Sequence, residues 1–550
     1  MPLCIHCVPV ALWALVSAPA LSQEPAAPVG FFDTFSAETL GWRPQGQGLK
    51  ATLQPSDLDE DQMLKLDNSA SDSQAFVGIA VGEPGALMAF SLMARAEAGT
   101  TARVGLHRYQ GAIHWEEVQD HWRRVSWEAG AHETVAMWYV AVGPGSVAYV
   151  DAVTIAPIEL SEAERVARLA AIRAASAQSA LEAYRALDLV DPAPGSSVTV
   201  GGSFPVGFYT VRPVAGRELG LEGIFRELAE AKVNLLHNSD FEDWPEHTPH
   251  YQRLNSDETA REYLDLAHSH GLQVLMGFDR MMVVKGDVTG LQRRARALTD
   301  HPGLFGWYLI DEPNLHGAGP EVTLAAREAV RDAGDEHPLA AALCDAATID
   351  GYAPSLDVLI TDVYPVSTEC LFSLVPHLEI ALAATEGRKP VWAAIGVHNQ
   401  DMHRIAWGGM EHLLTEPRRP TVDEVRCMTY LAIAHGAGGI LFYAYDAWRY
   451  GQIYDEPVLY EGVKALSREL ADLSPWLVGD CVAKGTVTGE MGTMVSYILR
   501  GRHQGQSVLV AVNGFCDPSG PVQIDVPGGD GVAVELGPQE VLVRRVPIAD

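Results

Sequence analysis

The sequence predicts a multidomain protein of mixed α/β and all-β class: a central (β/α)8 TIM barrel between an N-terminal jelly-roll-like domain and a small C-terminal β-sandwich. Three observations predict it. Between Phe204 and Trp476, eight short apolar runs alternate with amphipathic helical stretches. On either side of that stretch the apolar runs are β-prone, and turns rather than helical periods separate them. Finally, 550 residues at 47% apolar and 20% charged are too many for one core and too apolar to remain disordered, so two or three domains are required.

Taken in order, Pro2 to Ser22 contain no acidic or basic residue, carry an apolar run over Val8 to Val16, and end in Ser17-Ala18-Pro19-Ala20-Leu21-Ser22. Residues 1–22 therefore read as a signal peptide, which predicts a secreted or periplasmic protein. No later segment offers about 18 uninterrupted apolar residues, so no membrane insertion is expected. Residues 30–158 follow as a β-sandwich, with runs such as Ala75 to Val81 and Thr134 to Val142 and the turn Gly143-Pro144-Gly145-Ser146. Phe31-Phe32-Asp33 with Gly41-Trp42 at its start, and Ala148 to Val153 at its end, resemble carbohydrate-binding jelly rolls. Trp42, Trp115, Trp122, Trp127 and Trp138 are the stacking candidates there, although most tryptophans of a small sandwich belong to its core.

Residues 159–198 form a helical linker. Ser161 with Glu164 makes a capping box, and Val166, Leu169, Ile172, Leu181, Tyr184 and Leu187 follow a helical stripe until Asp191 to Ser197 breaks it. The barrel occupies 199–478, with strands over Pro205–Thr210, Val233–His237, Gln273–Phe278, Phe305–Ile310, Leu339–Leu343, Val358–Thr361, Val391–Gly396 and Gly439–Tyr443. Its fifth unit is short, with about 15 residues between strands. Phe208 to Pro213 is not a glycine-rich phosphate loop, which argues against a doubly wound open sheet. Residues 479–550 return to β character in Thr493–Leu499 and Ser507–Gly514.

Charge and cysteine content narrow the function. Lys+Arg 39 against Asp+Glu 71 gives a net −32, so nucleic acid and anionic membrane surfaces are excluded as partners. Of seven cysteines, Cys4 and Cys7 fall in the leader. Cys344, Cys370, Cys427, Cys481 and Cys516 are too sparse for a disulfide framework, with Cys481–Cys516 the one candidate bridge, and no C-x-x-C spacing points to zinc.

In a (β/α)8 barrel the active site gathers at the C-terminal ends of the strands. The fourth strand reads Gly306-Trp307-Tyr308-Leu309-Ile310-Asp311-Glu312-Pro313-Asn314, two adjacent carboxylates followed by a strand-stopping proline. Period-two alternation puts Gly306, Tyr308, Ile310 and Glu312 on one face, so an inward Ile310 implies an inward Glu312 and an outward Asp311. A helix cap would need only one acid and no inward side chain.

This segment resembles the fourth-strand motif of clan A glycoside hydrolases, in which the glutamate is the acid/base. Phe204 to Thr210, Asp357 to Pro365 and Met428 to Ile440 resemble first-strand, sixth-strand and pre-eighth-strand segments of the same group. The resemblance covers the barrel, about half the chain, and implies a glycosidase with Glu312 as general acid acting on an oligo- or polysaccharide. Two departures stand out. Asp311 occupies a place usually held by Asn, and the seventh strand, Pro390 to Asp401, has no glutamate where those enzymes carry their nucleophile.

A second carboxylate must then come from Asp362 after strand six, Asp446 after strand eight, or Asp401. A separation of about 5 Å would suit a retaining enzyme and roughly 6.5–9.5 Å an inverting one. Tyr209, His237, Asp311, Tyr364, His398, Tyr445 and Trp448 lie at or beyond strand ends, as do Asp240 and Asp279, and suit sugar stacking and hydroxyl binding. No metal-ligand spacing, nucleophile elbow or phosphate loop occurs, so neither metal nor cofactor is expected. A barrel that binds polysaccharide without cleaving it, and a metal-dependent barrel hydrolase, are the other readings.

Overall fold

The structure, a computed structural model, describes residues 31–33, 43–45, 50–55, 62–69, 75–80, 87–108, 114–130, 137–158, 160–212, 219–242, 256–401, 418–447, 451–527 and 531–547. The chain divides into two compact units, Met1–Glu159 and Leu160–Asp550. The predicted leader, Trp42 and Trp448 lie outside the described residues.

The first unit is a two-sheet antiparallel sandwich. Its strands are β1 (Phe31–Asp33), β2 (Arg43–Gln45), β3 (Lys50–Pro55), β4 (Gln62–Asp67), β5 (Ala75–Ala80), β6 (Leu87–Ala96), β7 (Ala102–Arg108), β8 (His114–Val118), β9 (Arg123–Gly130), β10 (Met137–Val142) and β11 (Val147–Pro157). They pair as β3-β4-β11-β6-β9, with β1 on β11, and as β2-β5-β10-β7-β8. Alternation sorts the faces: Phe90, Leu92 and Ala94 are buried, while Ser91, Met93 and Arg95 between them are half-buried on the outer face. Trp127 stands opposite Phe90 on the core side. Trp115 lies under the Arg103 guanidinium at 4.8 Å, and Arg95 lies 5.1 Å from the Trp122 ring and 4.2 Å from that of Tyr149.

The second unit opens with α1 (Glu162–Arg185), closed at its start by the predicted Ser161–Glu164 capping box. Ala180, Leu181 and Tyr184 bury its last turns in the barrel's outer core. The barrel is a closed ring of eight parallel strands: β12 (Val206–Phe208), β13 (Leu235–His237), β14 (Gln273–Gly277), β15 (Leu304–Tyr308), β16 (Leu339–Leu343), β17 (Val358–Thr361), β18 (Val391–Gly396) and β19 (Ile440–Tyr443). All eight predicted strands are present, and β16, β17 and β18 have the predicted bounds. Every residue of β15 to β18 is buried, as strands covered on both faces require. Inside the ring Leu235, Leu275, Phe305, Tyr308, Ile360, Trp392 and Leu441 pack together, and a second layer joins the outer strand faces to the helices. The short fifth unit holds only single turns between Ala346 and Ser355.

The last strands are β20 (Cys481–Thr488), β21 (Met494–His503), β22 (Gln506–Asn513), β23 (Pro521–Ile524), β24 (Val532–Glu535) and β25 (Val541–Pro547). The sheet β20-β21-β22-β25 is two-sided. Ile498, Val508, Val510 and Val512 join the barrel's outer core, whereas Leu499, Leu509 and Ala511 pack on Val522, Ile524 and Val534 of the β23–β24 pair. Cys481 and Cys516 are both free thiols, so the candidate bridge is absent.

Candidate active site

The ends of β15, β16 and β17 bring three reactive groups together. Glu312, Cys344 and Asp362 each contribute one donor atom, and these atoms lie within 4.8 Å of one another. Glu312 and Cys344 are half-buried, and Asp362 is 9% exposed. Glu312 also has φ 37°, in the left-handed region that non-glycine residues rarely occupy. Such a conformation persists only where surrounding contacts hold it, and it aims the side chain away from the strand's own alternation.

That local turn changes one expectation from the sequence. Pairing of β15 ends at Tyr308, and both Leu309 and Ile310 pack in the outer layer beside the helices. The strict alternation is therefore lost before the acids are reached. Asp311, expected to lean outward, instead accepts a hydrogen bond from the Tyr308 hydroxyl, and Tyr308 belongs to the barrel interior. Both acids of the Asp311-Glu312 pair serve the mouth.

The aromatic floor is built from neighbouring strand ends. Tyr209 meets His237, Tyr443 and Tyr308 edge-on, at ring separations of 5.0, 5.7 and 5.9 Å. His237 lies across Tyr308 at 4.3 Å, and its Nδ1 lies 3.0 Å from the Leu275 carbonyl. Tyr364 stacks on Tyr443 at 5.4 Å, with the His398 ring edge-on to both. A side chain at Gly396 would meet Tyr364 at 2.9 Å, so only glycine lets that ring lie over the end of β18.

The structure distributes the remaining expected site residues as follows. Asp446 accepts from Arg212 Nε at 2.9 Å, and Arg212 Nη1 reaches Asp240 at 2.9 Å, so one guanidinium ties together the ends of β12, β13 and β19. Tyr445 packs in the outer layer against Phe208, Tyr454 and Tyr460 rather than with the Tyr209 group. Asp401 is buried on the Ser367 hydroxyl and the Arg418 amide, and Asp279 caps the helix Arg280–Val284. His398 Nε2 lies 2.5 Å from Gln400 Oε1.

Four contributors were not singled out from the sequence: Arg212, Glu242, Cys344 and Tyr443. Glu242 ends the turn Ser239–Glu242 after β13, is 1% exposed, and lies 2.9 Å from His237 Nε2. Tyr443 could have been found, because it closes β19 two residues after the interior Leu441.

The electrostatics of this mouth run one way. Desolvation, then the charges of Glu312 and Glu242, push Asp311 up to about 8 against the pull of the Tyr308 hydrogen bond. Burial, then Glu312 and Asp311, hold Asp362 well above the usual carboxylate range, and a hydrogen bond to Glu312 adds to this. Burial does the same to Glu242, with Arg280 opposing and Asp240 reinforcing. His237 moves down to about 4 because burial disfavours its cation, so at neutral pH it is an uncharged ring. Carboxyls crowded with so little cationic relief retain protons at pH 7, the condition for general-acid chemistry. Glu312, Cys344 and Asp362 are also the described residues whose donor atoms approach closely enough to hold a divalent cation.

No family model matches the chain, and neither does any curated protein. Solved structures do match. One is an α-amylase from Geobacillus thermoleovorans complexed with acarbose, at 11% identity over 63% of this chain and 99% of that one, with a TM-score of 0.43. Another is the CBM22-1–GH10 modules of the Clostridium thermocellum N-terminal endo-1,4-β-D-xylanase 10B complexed with xylohexaose, at 10% identity over 80% and 98% and a TM-score of 0.33. A third is a Podospora anserina GH26-CBM35 β-(1,4)-mannanase, at 10% identity over 80% and 96% and a TM-score of 0.31.

Proposed function

We propose that the protein is a glycoside hydrolase whose working pair is Glu312 and Asp362. The observation that carries this reading is their spacing, with donor atoms within 4.8 Å. Burial and the acidic charges beside it hold the Asp362 carboxyl well above the usual range, so it keeps a proton near neutral pH. One of the two acids can then protonate the glycosidic oxygen while the other meets the anomeric carbon as a carboxylate. The separation suits a retaining double displacement better than an inverting one, which needs room for a water between the acids. Glu312, the more exposed member, takes the proton from Asp362 and delivers it to the leaving group, as its likeness to the fourth-strand glutamate of clan A enzymes implies, and Asp362 is left as the carboxylate. Asp362 then takes the place left empty on the seventh strand.

Asp311, kept protonated, can donate to a sugar hydroxyl, and the half-buried Tyr364 and Tyr443, backed by the buried Tyr209 and Tyr308, offer faces for an uncharged ring. Asp446, held by Arg212, positions the loops rather than reacting. The substrate is an oligo- or polysaccharide, and the leader makes the enzyme an exported one, which N-terminal sequencing of protein recovered outside the cytoplasm would check. On a substrate found by glycan screening, Glu312→Gln and Asp362→Asn should each lower kcat by roughly 10³-fold or more with the fold unchanged by circular dichroism. Turnover within tenfold of wild type for either variant sinks its assignment.

The missing seventh-strand glutamate favours one other reading, a barrel that binds glycans without cleaving them. Glycan retention without any release of reducing ends would establish it.

A further inference from the structure

Cys344 ends β16 and stands beside the acid pair, yet the reaction above gives it no task. Its sulfur is one of the three donor atoms within 4.8 Å, and the Glu312 carboxyl is the largest in effect of the charges that oppose its ionisation. The partners of Glu312 matter more than usual, because its φ of 37° leaves the side chain to be held by contacts rather than by backbone preference. Asp362 supplies one contact, but Asp362 Oδ1 meets no hydrogen-bond donor among the described residues, so the pair is not locked from that side. Resting on the hydrolase reading, we infer that Cys344 is a positioning residue: its S–H donates to the Glu312 carboxyl and keeps Glu312 turned toward Asp362 in the mouth.

A thiol suits this place for a specific reason. Lysine or arginine would hold Glu312 more firmly but would neutralise it and release the proton that Asp362 keeps. A thiol donates one weak hydrogen bond and carries no charge. The groups facing Cys344 keep it so: burial first, then Glu312, Asp362 and Asp311, all oppose its thiolate. His377, from the helix Val375–Ala384, interacts with the Cys344 backbone.

Two measurements on the full chain test the inference and separate its failure from that of the hydrolase reading. The first needs no substrate. Iodoacetamide labelling of Cys344 at pH 9, followed by peptide mass spectrometry, should run roughly threefold or more faster in Glu312→Gln than in wild type, since removing that charge eases thiolate formation. An unchanged rate overturns the contact whatever the enzyme cleaves. The second uses the screened glycan. Cys344→Ala should lower kcat about tenfold with KM within twofold and shift the acidic limb of the pH profile, and Cys344→Ser, whose hydroxyl also donates, should recover most of the loss. A purely structural role would lower the melting temperature of Cys344→Ala without moving kcat or the pH profile, and that result overturns the inference. Faster labelling in Glu312→Gln combined with no cleavage of any glycoside removes the hydrolase reading and the positioning role with it.

Discussion

Asp362 and Glu379 are both carboxyls sealed inside the second unit, and their environments drive them in opposite directions. Burial opposes the ionisation of each. At Glu379, on the helix Val375–Ala384, His435 Nδ1 lies at 2.7 Å and the Lys484 ammonium at 2.9 Å, and together they overcome burial and hold the carboxyl below its usual value. Lys484 also donates to the Val190 carbonyl, and His435 Nε2 lies 2.8 Å from the Ser496 hydroxyl, so the cluster is satisfied throughout. It joins the barrel helices to the C-terminal sheet. At Asp362 the neighbours are Glu312 and Asp311, and among the described residues no cation answers them, so burial and repulsion act together. The depth is comparable, and the partners decide the sign: one acid fastens two layers, while the other is left able to give up or take a proton.

This contrast can be broken from either side. The largest effect belongs to the fastened acid. Glu379→Gln leaves Lys484 charged and enclosed without its counterion, and should cost about 3–5 kcal/mol in urea unfolding at pH 7. Because the Glu379 carboxyl lies below its unfolded value, its contribution is present at neutral pH and fades as pH falls through that depressed value, so the deficit should shrink on acidification. A loss under 1 kcal/mol would mean that the cluster does not hold the layers together.

A smaller effect of opposite sign belongs to the mouth. Asp311 binds its proton up to about 8 in the folded chain and only to about 4 when unfolded, so its contribution to stability declines as pH rises between those values. Asp311→Asn keeps an oxygen for the Tyr308 hydroxyl and removes the titration. Its stability relative to wild type should therefore improve from pH 5 to pH 8.5, by roughly 1–2 kcal/mol. Parallel denaturation curves with a constant offset would contradict the retention of a proton by Asp311. The smallest effect is from chelation: if the acids act on protons, turnover should be unchanged within error after dialysis against EDTA, whereas loss restored by a divalent cation would move the site to metal chemistry.

The sequence makes the barrel legible because each strand is a short apolar run that a turn signal opens or closes, as Gly271 opens Gln273–Gly277 and Pro390 opens Val391–Gly396. Glu312 and Asp362 are legible for the same reason, since they stand just beyond strand ends. Contacts between distant parts of the chain are not. Nothing near Asp446 announces that its partner is Arg212, and a lone cysteine closing an apolar strand looks the same whether it packs or reaches an acid. The placement of Asp311 escapes period-two reasoning because β15 ends before the acids and the backbone turns at Glu312. Tyr445 escapes it likewise, lying beyond the last paired residue of β19.

The seam of the ring sets the order in which this chain can come into being. β12 pairs with β19, and Arg212 clasps an acid 234 residues further along. Gly207, whose Cβ would stand 2.4 Å from Leu441, fits only against a neighbour that is made last. During synthesis the first strand must therefore wait with an open edge until nearly the whole barrel has been translated. The acids at its rim remain hydrated and ordinary throughout that wait, and they acquire their unusual proton affinity only when the final strand closes the wall.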